Sequence, residues 1–330
     1  MCMARLSGKP RYLWFFWRFL ERIFKFIDLL ARFVGVKVAF QVFETSQRFD
    51  LPSPSFNKTS LLPKIGIVIQ GPISNPIILN ETLAIYRRNF PNSPISLSTW
   101  KDDQYLPSIN VGNEISVIEN TYPENPGISN LNFQAVSTVA GINSLKNSGC
   151  DFVLKTRTDQ VLYNSRALDL IYDRFIKAQL KEFERILTTD FNSFLFRAYS
   201  PSDQLMFGKV ETLSILWSSY MSSDSRKSSD DIEDFAERKL VRAYIGALGI
   251  PFENTLKQSL EIYRDLYAFI DNEELDLFWH KGTYRVLRSR FPQQYFPSLD
   301  SFVRYSDWLR LQSDLDFYLN AYESISNQVE

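Results

Sequence analysis

Histidine and cysteine are almost missing from this sequence. Among its 330 residues there is one histidine, His280, and there are two cysteines, Cys2 and Cys150. A single imidazole argues against a histidine-rich zinc site and against a serine–histidine–aspartate triad, since both depend on that ring. Two cysteines cannot form a disulfide framework, and so few suit a reducing compartment. Catalysis by this chain would therefore depend on carboxylates, arginines and backbone groups.

The chain also lacks an excess of charge of either sign. It has 37 Lys and Arg against 38 Asp and Glu, a formal net charge of −1, so the charge balance does not point to nucleic acid. Neither the GxGxxG pattern nor the P-loop pattern occurs, which counts against dinucleotide binding and P-loop phosphoryl transfer. With 45% hydrophobic residues the chain can bury a sizeable core, in one large domain or two smaller ones.

The segment RYLWFFWRFLERIFKFIDLLARF, residues 11–33, combines aromatic residues with regularly spaced charges. Its longest uncharged run is far shorter than the ~20 residues of a membrane span, and it lacks the apolar centre and cleavage site of a secretory signal. On a helical wheel its charged residues fall within an arc of about 120°. They are Arg11, Arg18, Glu21, Arg22, Lys25, Asp28 and Arg32. This basic stripe opposite a broad aromatic face predicts a helix at the interface of an anionic membrane.

A helix packed on the rest of the chain, or on a second copy, is the alternative for this segment. The width of the apolar face favours the membrane, because a helix packed on one side usually keeps a narrower apolar stripe. We predict an amphipathic membrane-interface helix over residues 1–48 and a cytoplasmic protein, bound peripherally to the inner face of the plasma membrane. Residues 49–63, rich in proline and serine, are predicted to form a linker.

Residues 64–165 alternate between β-branched apolar runs and helical patterns. This alternation predicts an α/β fold with a mostly parallel sheet and helices on both faces. The predicted strands are Lys64–Gln70, Ile95–Trp100, Glu114–Asn120 and Asp151–Arg157. The predicted helices are Asn75–Phe90 and Asn130–Gly149. Ligands of such sheets bind beyond the carboxyl ends of the strands, so the residues that follow each strand are the first candidates for a site.

Residues 166–330 carry mainly helical patterns, so a helical C-terminal part is predicted. The predicted helices are Ala167–Ile186, Val210–Tyr220, Ile232–Leu248, Leu256–Phe269 and Ser301–Ala321. Two further apolar runs, Ser193–Arg197 and Gln204–Gly208, are predicted strands. The serine- and charge-rich stretch Met221–Asp231 predicts a mobile loop.

Polar residues and a glycine stand at the predicted strand ends. Glycine lets a ligand approach the backbone closely, and the proline after it fixes the chain direction. The candidates for ligand binding are Gln70, Gly71, Pro72, Thr99 and, on the second predicted helix, Gln134. An ordinary turn at residues 70–72 and a simple helix start before Gln134 are the structural alternatives.

The sequence LKTRTDQ, residues 154–160, ends a predicted strand with a cation and a carboxylate. Its position resembles that of the DxD sequence in two-layer α/β nucleotide-sugar transferases, whose carboxylates hold a divalent cation on the donor diphosphate. Here Arg157 stands at the first acidic position and Asp159 at the last. A guanidinium can stabilise a departing diphosphate, as a metal does. Asp159 would hold Mg²⁺ or Mn²⁺, orient Arg157 or accept a sugar hydroxyl; a purely structural Arg–Asp pair is the alternative.

Two acidic residues of the second half are candidates for proton transfer. Asp203 stands just before an apolar strand, where a carboxylate can remove a proton from an acceptor hydroxyl, and it is the first choice. Glu237, near the start of a predicted helix, is the second choice. A strand cap or turn role for Asp203 and a mainly core-facing helix around Glu237 are the alternatives.

Taken in order, these segments resemble the WavE family of lipopolysaccharide-synthesis proteins. The segments that carry the resemblance are IVIQGPI (67–73), FPNSPISLSTW (90–100), NLNFQAVSTVAGI (130–142), LKTRTDQ (154–160), SDQLMFG (202–208) and AERKLVRAYI (236–245). The resemblance implies a GT-A-like, Rossmann-like glycosyltransferase fold and a role in building surface polysaccharide. It also implies that arginine at position 157 is the usual state of the family.

We therefore predict that residues 64–330 form a glycosyltransferase domain. Residues 64–165 would bind the nucleotide sugar, and residues 166–330 would bind a lipid-linked or growing surface glycan of the lipopolysaccharide or capsule type. The nucleotide sugar would contact Gln70, Gly71, Pro72, Thr99, Gln134, Arg157 and Asp159. Two alternatives stay open. One is a non-catalytic, membrane-associated scaffold of a polysaccharide assembly complex, and the other is a sugar nucleotidyltransferase, which would need a loop rich in glycine and lysine after the first strand.

Overall fold

The computed structural model describes residues 63–179, 184–221, 235–280 and 301–326, together with six helical residues near the N-terminus. Those six are Phe19, Arg22, Ile23, Phe26, Ile27 and Leu30. Most of the predicted N-terminal helix, the linker up to residue 62 and residues 222–231 of the predicted loop lie outside the described residues. The predictions for these three segments therefore stay predictions.

Nine strands and eight helices make up the described chain. The strands are β1 (Ile65–Gln70), β2 (Ile95–Trp100), β3 (Ile115–Asn120), β4 (Phe152–Arg157), β5 (Gln160–Leu162), β6 (Ile186–Thr189), β7 (Met206–Lys209), β8 (Tyr267–Ile270) and β9 (Leu277–Trp279). The helices are α1 (Pro76–Asn89), α2 (Leu131–Asn147), α3 (Ala167–Ala178), α4 (Val210–Ser218), α5 (Ala236–Ala247), α6 (Leu256–Leu266), α7 (Tyr305–Leu311) and α8 (Asp316–Ser326). Short 3₁₀ turns cover Leu106–Ser108 and Ile128–Asn130.

Seven strands form one sheet in the order β3-β2-β1-β4-β7-β6-β8. Strand β7 pairs antiparallel with both β4 and β6, and the remaining neighbours in this sheet pair in parallel. The chain adds β2 and β3 on one side of β1 and then crosses to add β4 on the other side. In an open α/β sheet such a reversal opens a crevice at the carboxyl ends of the two central strands. The predicted mostly parallel, Rossmann-like α/β sheet is confirmed.

Helices cover both faces of this sheet, as strand β7 shows directly. The ring of Phe207 packs edge-on against Phe175 of α3, with centroids 5.2 Å apart. A Cβ at the next residue, Gly208, would lie 3.5 Å from Leu213 of α4. Successive strand residues point to opposite faces, so α3 and α4 lie on opposite sides of β7.

Helix α2 runs antiparallel to β1 and in close contact with it. Gly141 makes the approach possible, because a Cβ there would come within 2.5 Å of Val68 Cγ1. Three contacts mark the path of the helix: Leu145 on Gly66, Gly141 on Val68 and Ser137 on Gln70. Each step of four residues back along α2 therefore advances two residues along β1. One further turn of the helix brings Phe133 and Gln134 to the level of Gly71 and Pro72.

The first half of the chain follows the sequence prediction closely, and the second half corrects it. The predicted strand Ser193–Arg197 is wrong: Phe194 makes a single isolated bridge to Phe302, and the segment is a buried loop. Left-handed backbone at Asn192 and Tyr199 turns the chain on either side of this loop. Its apolar side chains reach the core without a strand.

Two predicted helices end early because a short buried strand follows each of them. The helix predicted over Ala167–Ile186 stops at Ala178, and the helix predicted over Leu256–Phe269 stops at Leu266. The residues beyond, ILTT and YAFI, form β6 and β8, which pair with each other in parallel. Short apolar runs do not reveal by periodicity whether they belong to a helix or a buried strand. The helix predicted over Ser301–Ala321 is two helices, α7 and α8.

Candidate active site

The ends of β1 and β4 are joined side by side at the carboxyl edge of the sheet. Gln70 and Arg157 are paired in register, and the backbone N–H of Thr158 donates a hydrogen bond of 3.1 Å to the carbonyl of Gln70. The Thr158 hydroxyl then donates a 2.7 Å hydrogen bond to the carbonyl of Pro72. The predicted site residues of IVIQGPI (67–73) and LKTRTDQ (154–160) therefore lie together at the strand-order reversal.

Gly71 occupies a backbone conformation that requires glycine. Its φ is 120°, and a Cβ at this position would lie 3.4 Å from the Thr158 hydroxyl oxygen. Its N–H donates a 3.1 Å hydrogen bond to the carbonyl of Ser98 on β2. The backbone at Gly71 thus bends away from the sheet while staying fastened to the neighbouring strand.

Thr99 is fully buried and acts through Asp103, a residue that the sequence did not single out. The Thr99 hydroxyl lies 3.1 Å from Asp103 Oδ2, and the same oxygen accepts a 2.7 Å hydrogen bond from the backbone N–H of Ile73. The other carboxylate oxygen accepts from the N–H of Tyr105. Asp103 therefore ties the end of β2 to the loop that follows β1. Direct contact between Thr99 and a nucleotide stays a prediction.

Some polar side chains of α2 that face the end of β1 have hydrogen-bond partners, and others do not. The Ser137 hydroxyl donates a 2.9 Å hydrogen bond to Gln70 Oε1, which fixes the Gln70 amide. By contrast, Gln134 Oε1 and Thr138 Oγ1 are buried without a hydrogen-bond partner. A buried acceptor without a partner is costly. Gln134, which the sequence put forward, therefore offers an unused acceptor next to the predicted ligand position.

Asn130 is the N-cap residue of α2, but its side chain makes no capping hydrogen bond. Its φ is 63°, in the left-handed region, and that of Ser129 before it is 50°. The helix instead begins after a turn in which the Asn132 N–H donates to the carbonyl of Pro126. The helix start before Gln134 is therefore held by backbone hydrogen bonds rather than by the Asn130 side chain.

Three aromatic rings form a cluster beyond the ends of β2 and β3. The rings of Trp100 and Tyr122 stack with centroids 4.0 Å apart, and Phe133 of α2 meets both rings edge-on. Trp100 is buried, whereas Tyr122 is 46% exposed. Tyr122 thus presents a ring to solvent near Asp103, and this ring contacts Phe133, the residue before Gln134. None of the three rings was among the predicted ligand-binding residues.

Arg157 and Asp159 form a two-point ion pair at the end of β4. Arg157 Nε lies 3.0 Å from Asp159 Oδ1, and Nη2 lies 3.4 Å from Oδ2. Burial opposes the charge on the guanidinium, but the paired carboxylate raises the pKa of Arg157 above its usual value. The Arg157 side chain is 22% exposed and that of Asp159 is 11% exposed. A guanidinium has five N–H donors, so three remain beyond those that Asp159 receives.

The backbone of Asp159 is held by a second, two-stranded sheet. Strand β5 follows Asp159 at once and pairs antiparallel with β9. The N–H of His280, directly after β9, donates a 3.0 Å hydrogen bond to the Asp159 carbonyl. The only histidine of the chain thus supports the site through its backbone, while its ring packs against Phe278.

The surroundings of Asp159 do not fit a metal held by the protein alone. Within the described ranges, no three side chains of His, Cys, Asp or Glu gather into a group that could hold a metal ion. The Asp159 carboxylate is also engaged on both oxygens by Arg157. Asp159 as a ligand of Mg²⁺ or Mn²⁺ stays a prediction.

Lys155 lies one layer beneath Arg157 on the same face of β4. It is fully buried, its Nζ donates a hydrogen bond to the backbone carbonyl of Asp203, and it lies 4.7 Å from the ring centre of Trp217. Burial lowers the pKa of Lys155 from 10.5 to about 7, although Asp203, Asp159 and Glu237 favour the cation. The sequence alone does not reveal that a lysine in the middle of an apolar strand is buried with such contacts.

Asp203 and Glu237 reach the same edge of the sheet from different elements. Asp203 precedes β7, which runs antiparallel to β4, so the start of β7 lies beside the end of β4. Glu237 lies in the first turn of α5. Burial and then the Asp203 carboxylate raise the pKa of Glu237 from 4.5 to about 7, while Arg197 and Arg157 oppose the shift. The two carboxylates and Arg157 thus form one electrostatic unit.

A cavity of about 490 Å³ lies at the opposite edge of the sheet. It is lined by Pro63, Cys150, Asp151, Phe152, Lys209 and Glu211. These residues stand at the amino ends of β1 and β4 and at the carboxyl end of the antiparallel β7. The convergent polar groups, the strand-order reversal and the perturbed carboxylate all lie at the other edge, so we place the site there.

The fold and this edge define a doubly wound α/β protein whose strand order reverses between β1 and β4. Residues 65–246 match the family described as WavE lipopolysaccharide synthesis. The match covers more than half of the chain, so the chain belongs to this family. The resemblance inferred from the sequence is confirmed. No curated protein matches the chain.

Solved structures resemble the chain only distantly. One is a cytidylyltransferase from Leptospira borgpetersenii serovar Hardjo-bovis, with a TM-score of 0.40, 17% identity, and coverage of 78% of this chain and 96% of that chain. Another, assigned as a nucleotide-diphospho-sugar transferase, comes from Desulfovibrio desulfuricans G20. It has a TM-score of 0.38, 8% identity, and coverage of 79% and 99% respectively. Likenesses at this level carry no argument about the function of this chain.

Proposed function

We propose that this chain is a nucleotide-sugar-dependent glycosyltransferase with a GT-A-like fold that acts in lipopolysaccharide or capsule synthesis. It would transfer a sugar from a nucleoside diphosphate donor to a hydroxyl of a lipid-linked or growing surface glycan. The bond between the sugar's anomeric carbon and the donor phosphate breaks, and a bond to the acceptor oxygen forms. Membership of a lipopolysaccharide-synthesis family supports this reaction class.

The observation that carries the proposal is the geometry of Arg157. Asp159 holds the guanidinium by two of its five donors, which leaves three N–H groups on a side chain that is 22% exposed at the end of β4. A departing nucleoside diphosphate gains negative charge, and a guanidinium held in place stabilises that charge without having to reorganise. The pair of residues at the strand end therefore suits a diphosphate leaving group.

The donor nucleotide would lie over the ends of β1 and β2. The left-handed backbone at Gly71 lets phosphates approach the chain closely, with the loop held by Asp103 and Thr158. The exposed face of Tyr122 would stack on the nucleobase, because an aromatic ring held by a buried Trp100 loses little freedom on binding. Gln134 Oε1 would accept a hydrogen bond from a nucleoside N–H or O–H group.

The acceptor hydroxyl would lose its proton to the Asp203–Glu237 pair. A general base works best when its pKa lies near the operating pH, and Glu237, with a pKa of about 7, meets that condition. Glu237 is also partly exposed, whereas Asp203 is buried. We therefore assign proton removal to Glu237 and assign Asp203, the first choice from sequence, to raising the proton affinity of its neighbour.

The described N-terminal residues support docking on a membrane surface. Phe19, Ile23, Phe26, Ile27 and Leu30 follow the spacing of one helical stripe, and each is between 36% and 59% exposed. Within the described residues no helix has the length and apolarity needed to cross a bilayer. An interfacial helix on the cytoplasmic face would keep the site near a lipid-borne acceptor. Flotation with anionic liposomes tests this: equal flotation of the chain with and without residues 1–45 would disprove it.

A ligand screen followed by a transfer assay tests the enzyme proposal. We expect UDP, GDP or CDP at millimolar concentration to raise the melting temperature, since binding to the native state alone stabilises it. The stabilising nucleotide then selects nucleotide sugars to be tested with glycolipid acceptors from lipopolysaccharide assembly. No stabilisation by any nucleoside diphosphate would favour the scaffold instead. Release of pyrophosphate from a nucleoside triphosphate and a sugar phosphate would identify a nucleotidyltransferase.

A further inference from the structure

Lys155 is a buried cation that the proposed reaction does not use directly. It lies in the centre of β4, with neighbours Leu154 and Thr156 also fully buried. Removing an ammonium group from water is costly unless nearby groups compensate for the lost hydration. Its described partners are one backbone carbonyl and one aromatic ring, at Asp203 and Trp217. No carboxylate in the described part of the chain forms an ion pair with it.

Its position links it to both halves of the candidate acid–base unit. The Lys155 Nζ holds the carbonyl of Asp203, so it restrains the residue that carries one carboxylate. The charged groups that act on Lys155 are Asp203 before β7, Arg157 and Asp159 at the end of β4, and Glu237 on α5. Charges in this low-dielectric interior influence one another more strongly than they do in water.

We propose that Lys155 is a positioning residue that holds the Asp203 backbone and places a buried positive charge beside the Asp203–Glu237 pair. This role rests on the proposed function of that pair. A nearby cation favours the ionised form of a carboxylate. The charged form of Lys155, which predominates below about pH 7, therefore helps to keep a proton acceptor available on the acidic side of neutrality. The burial of Trp217 against its ammonium group excludes water that would otherwise screen this charge.

An apolar replacement is expected to fold, which makes the inference testable. Lys155 has no ion-pair partner in the described part of the chain, so an apolar side chain of similar volume removes a buried charge without leaving a buried carboxylate unpaired. Lys155→Met keeps the length of the side chain and removes both charge and donor. Lys155→Gln removes the charge and keeps an N–H donor, which serves if the methionine variant fails to fold. Lys209→Met, an exposed change on β7, is the matched control.

The expected result is a loss of turnover with little change in donor binding. In Lys155→Met we expect kcat to fall at least tenfold, while the Kd of the stabilising nucleoside diphosphate stays within threefold of wild type. The acidic limb of the kcat–pH profile should move to higher pH in both Lys155 variants, because losing the cation raises the pKa of the carboxylates. The Lys209→Met control should keep the wild-type kcat and profile.

A double-mutant cycle separates positioning from a merely structural role. If Lys155 acts through the carboxylate pair, Lys155→Met should have little further effect on kcat in an Asp203→Asn background. Folded Lys155 variants with wild-type kcat and pH profile, or fully additive losses in the cycle, would overturn the inference. A wild-type protein that binds no nucleoside diphosphate and transfers no sugar would instead overturn the proposed function, a result that these variants do not mimic.

Discussion

The Thr158 hydroxyl donates a 2.7 Å hydrogen bond to the carbonyl of Pro72 and so joins the loops that follow β4 and β1. We predict that Thr158→Val destabilises the protein by about 1 kcal/mol, because the Pro72 carbonyl loses its partner. The donor KM should rise more than kcat falls, since the loop proposed to receive the donor phosphates is loosened. Thermal unfolding and steady-state kinetics check this. Loss of kcat at an unchanged KM would contradict a role in shaping the donor loop.

Arg157→Ala removes the group proposed to meet the leaving diphosphate. We expect kcat to fall about 100-fold or more, the usual cost of losing one preorganised donor to developing negative charge. Circular dichroism and the melting temperature should show an intact fold. Arg157→Lys keeps the charge without the two-point contact to Asp159, and we expect intermediate activity. If the kcat of Arg157→Ala stayed close to the wild-type value, Arg157 would have no part in the mechanism.

Glu237→Gln should change both activity and the pH dependence of stability. The folded pKa of Glu237, about 7, lies above its ordinary value of 4.5. Its stabilising contribution is therefore complete below about pH 4.5 and is lost as the pH rises through about 7. Glutamine does not titrate, so the variant should gain melting temperature relative to wild type over that pH window while kcat falls sharply.

The exposed Glu253→Gln change, measured over the same pH range, controls for the general loss of one negative charge. Parallel melting curves of wild type and Glu237→Gln across the whole pH range would show that Glu237 titrates normally. Such a result would return the base assignment to Asp203, whose replacement by asparagine should then abolish transfer without weakening donor binding.

Tyr122→Ala removes the exposed ring of the aromatic cluster. Stacking of one base on an aromatic side chain contributes about 1–3 kcal/mol, so we expect the Kd of the nucleoside diphosphate to rise about tenfold or more. Tyr163→Ala is a suitable control, because Tyr163 is 40% exposed and follows β5 outside the cluster. Isothermal titration calorimetry measures both. If both changes had equal, small effects on the Kd, the nucleobase would bind somewhere other than on Tyr122.

Metal removal tests the remaining role considered for Asp159. Because Arg157 engages both carboxylate oxygens of Asp159, we expect transfer activity to survive EDTA with less than a twofold change. Asp159→Asn should then lower kcat by freeing the guanidinium, and added Mg²⁺ or Mn²⁺ should not restore it. Activity that disappears in EDTA and returns with either ion would show that Asp159 serves a metal after all.

The sequence allowed the first half of the fold to be predicted almost residue by residue. Strands β1 to β4 are β-branched runs bounded by polar turns, and each lies within one residue of its predicted limits at both ends. Strands β6 and β8 were missed because each follows a helix and contains only four residues. Their strand character comes from pairing with distant segments, which local patterning does not encode.

Some residues of the candidate site could likewise be predicted from the sequence, and others could not. Arg157 and Asp203 were predictable because a charged residue at the end or start of an apolar strand stands out. Lys155 was missed because lysines are almost always exposed, and only the packing of Trp217 and the Asp203 backbone reveals its burial. Asp103 was missed because the hydrogen bond that it accepts from Ile73 joins segments whose proximity depends on the assembled sheet.

The antiparallel direction of β7 relative to β4 affects when the candidate site is completed during folding. A parallel strand in its place would begin at the far edge and carry Asp203 away from Arg157. The reversal brings a segment synthesised well after β4 to the proposed catalytic group, but only once the intervening chain, which includes β5, α3 and β6, has folded. In the proposed reaction, binding of the activated sugar and removal of the acceptor proton would thus depend on separate stretches of chain, and the second of these stretches is synthesised later.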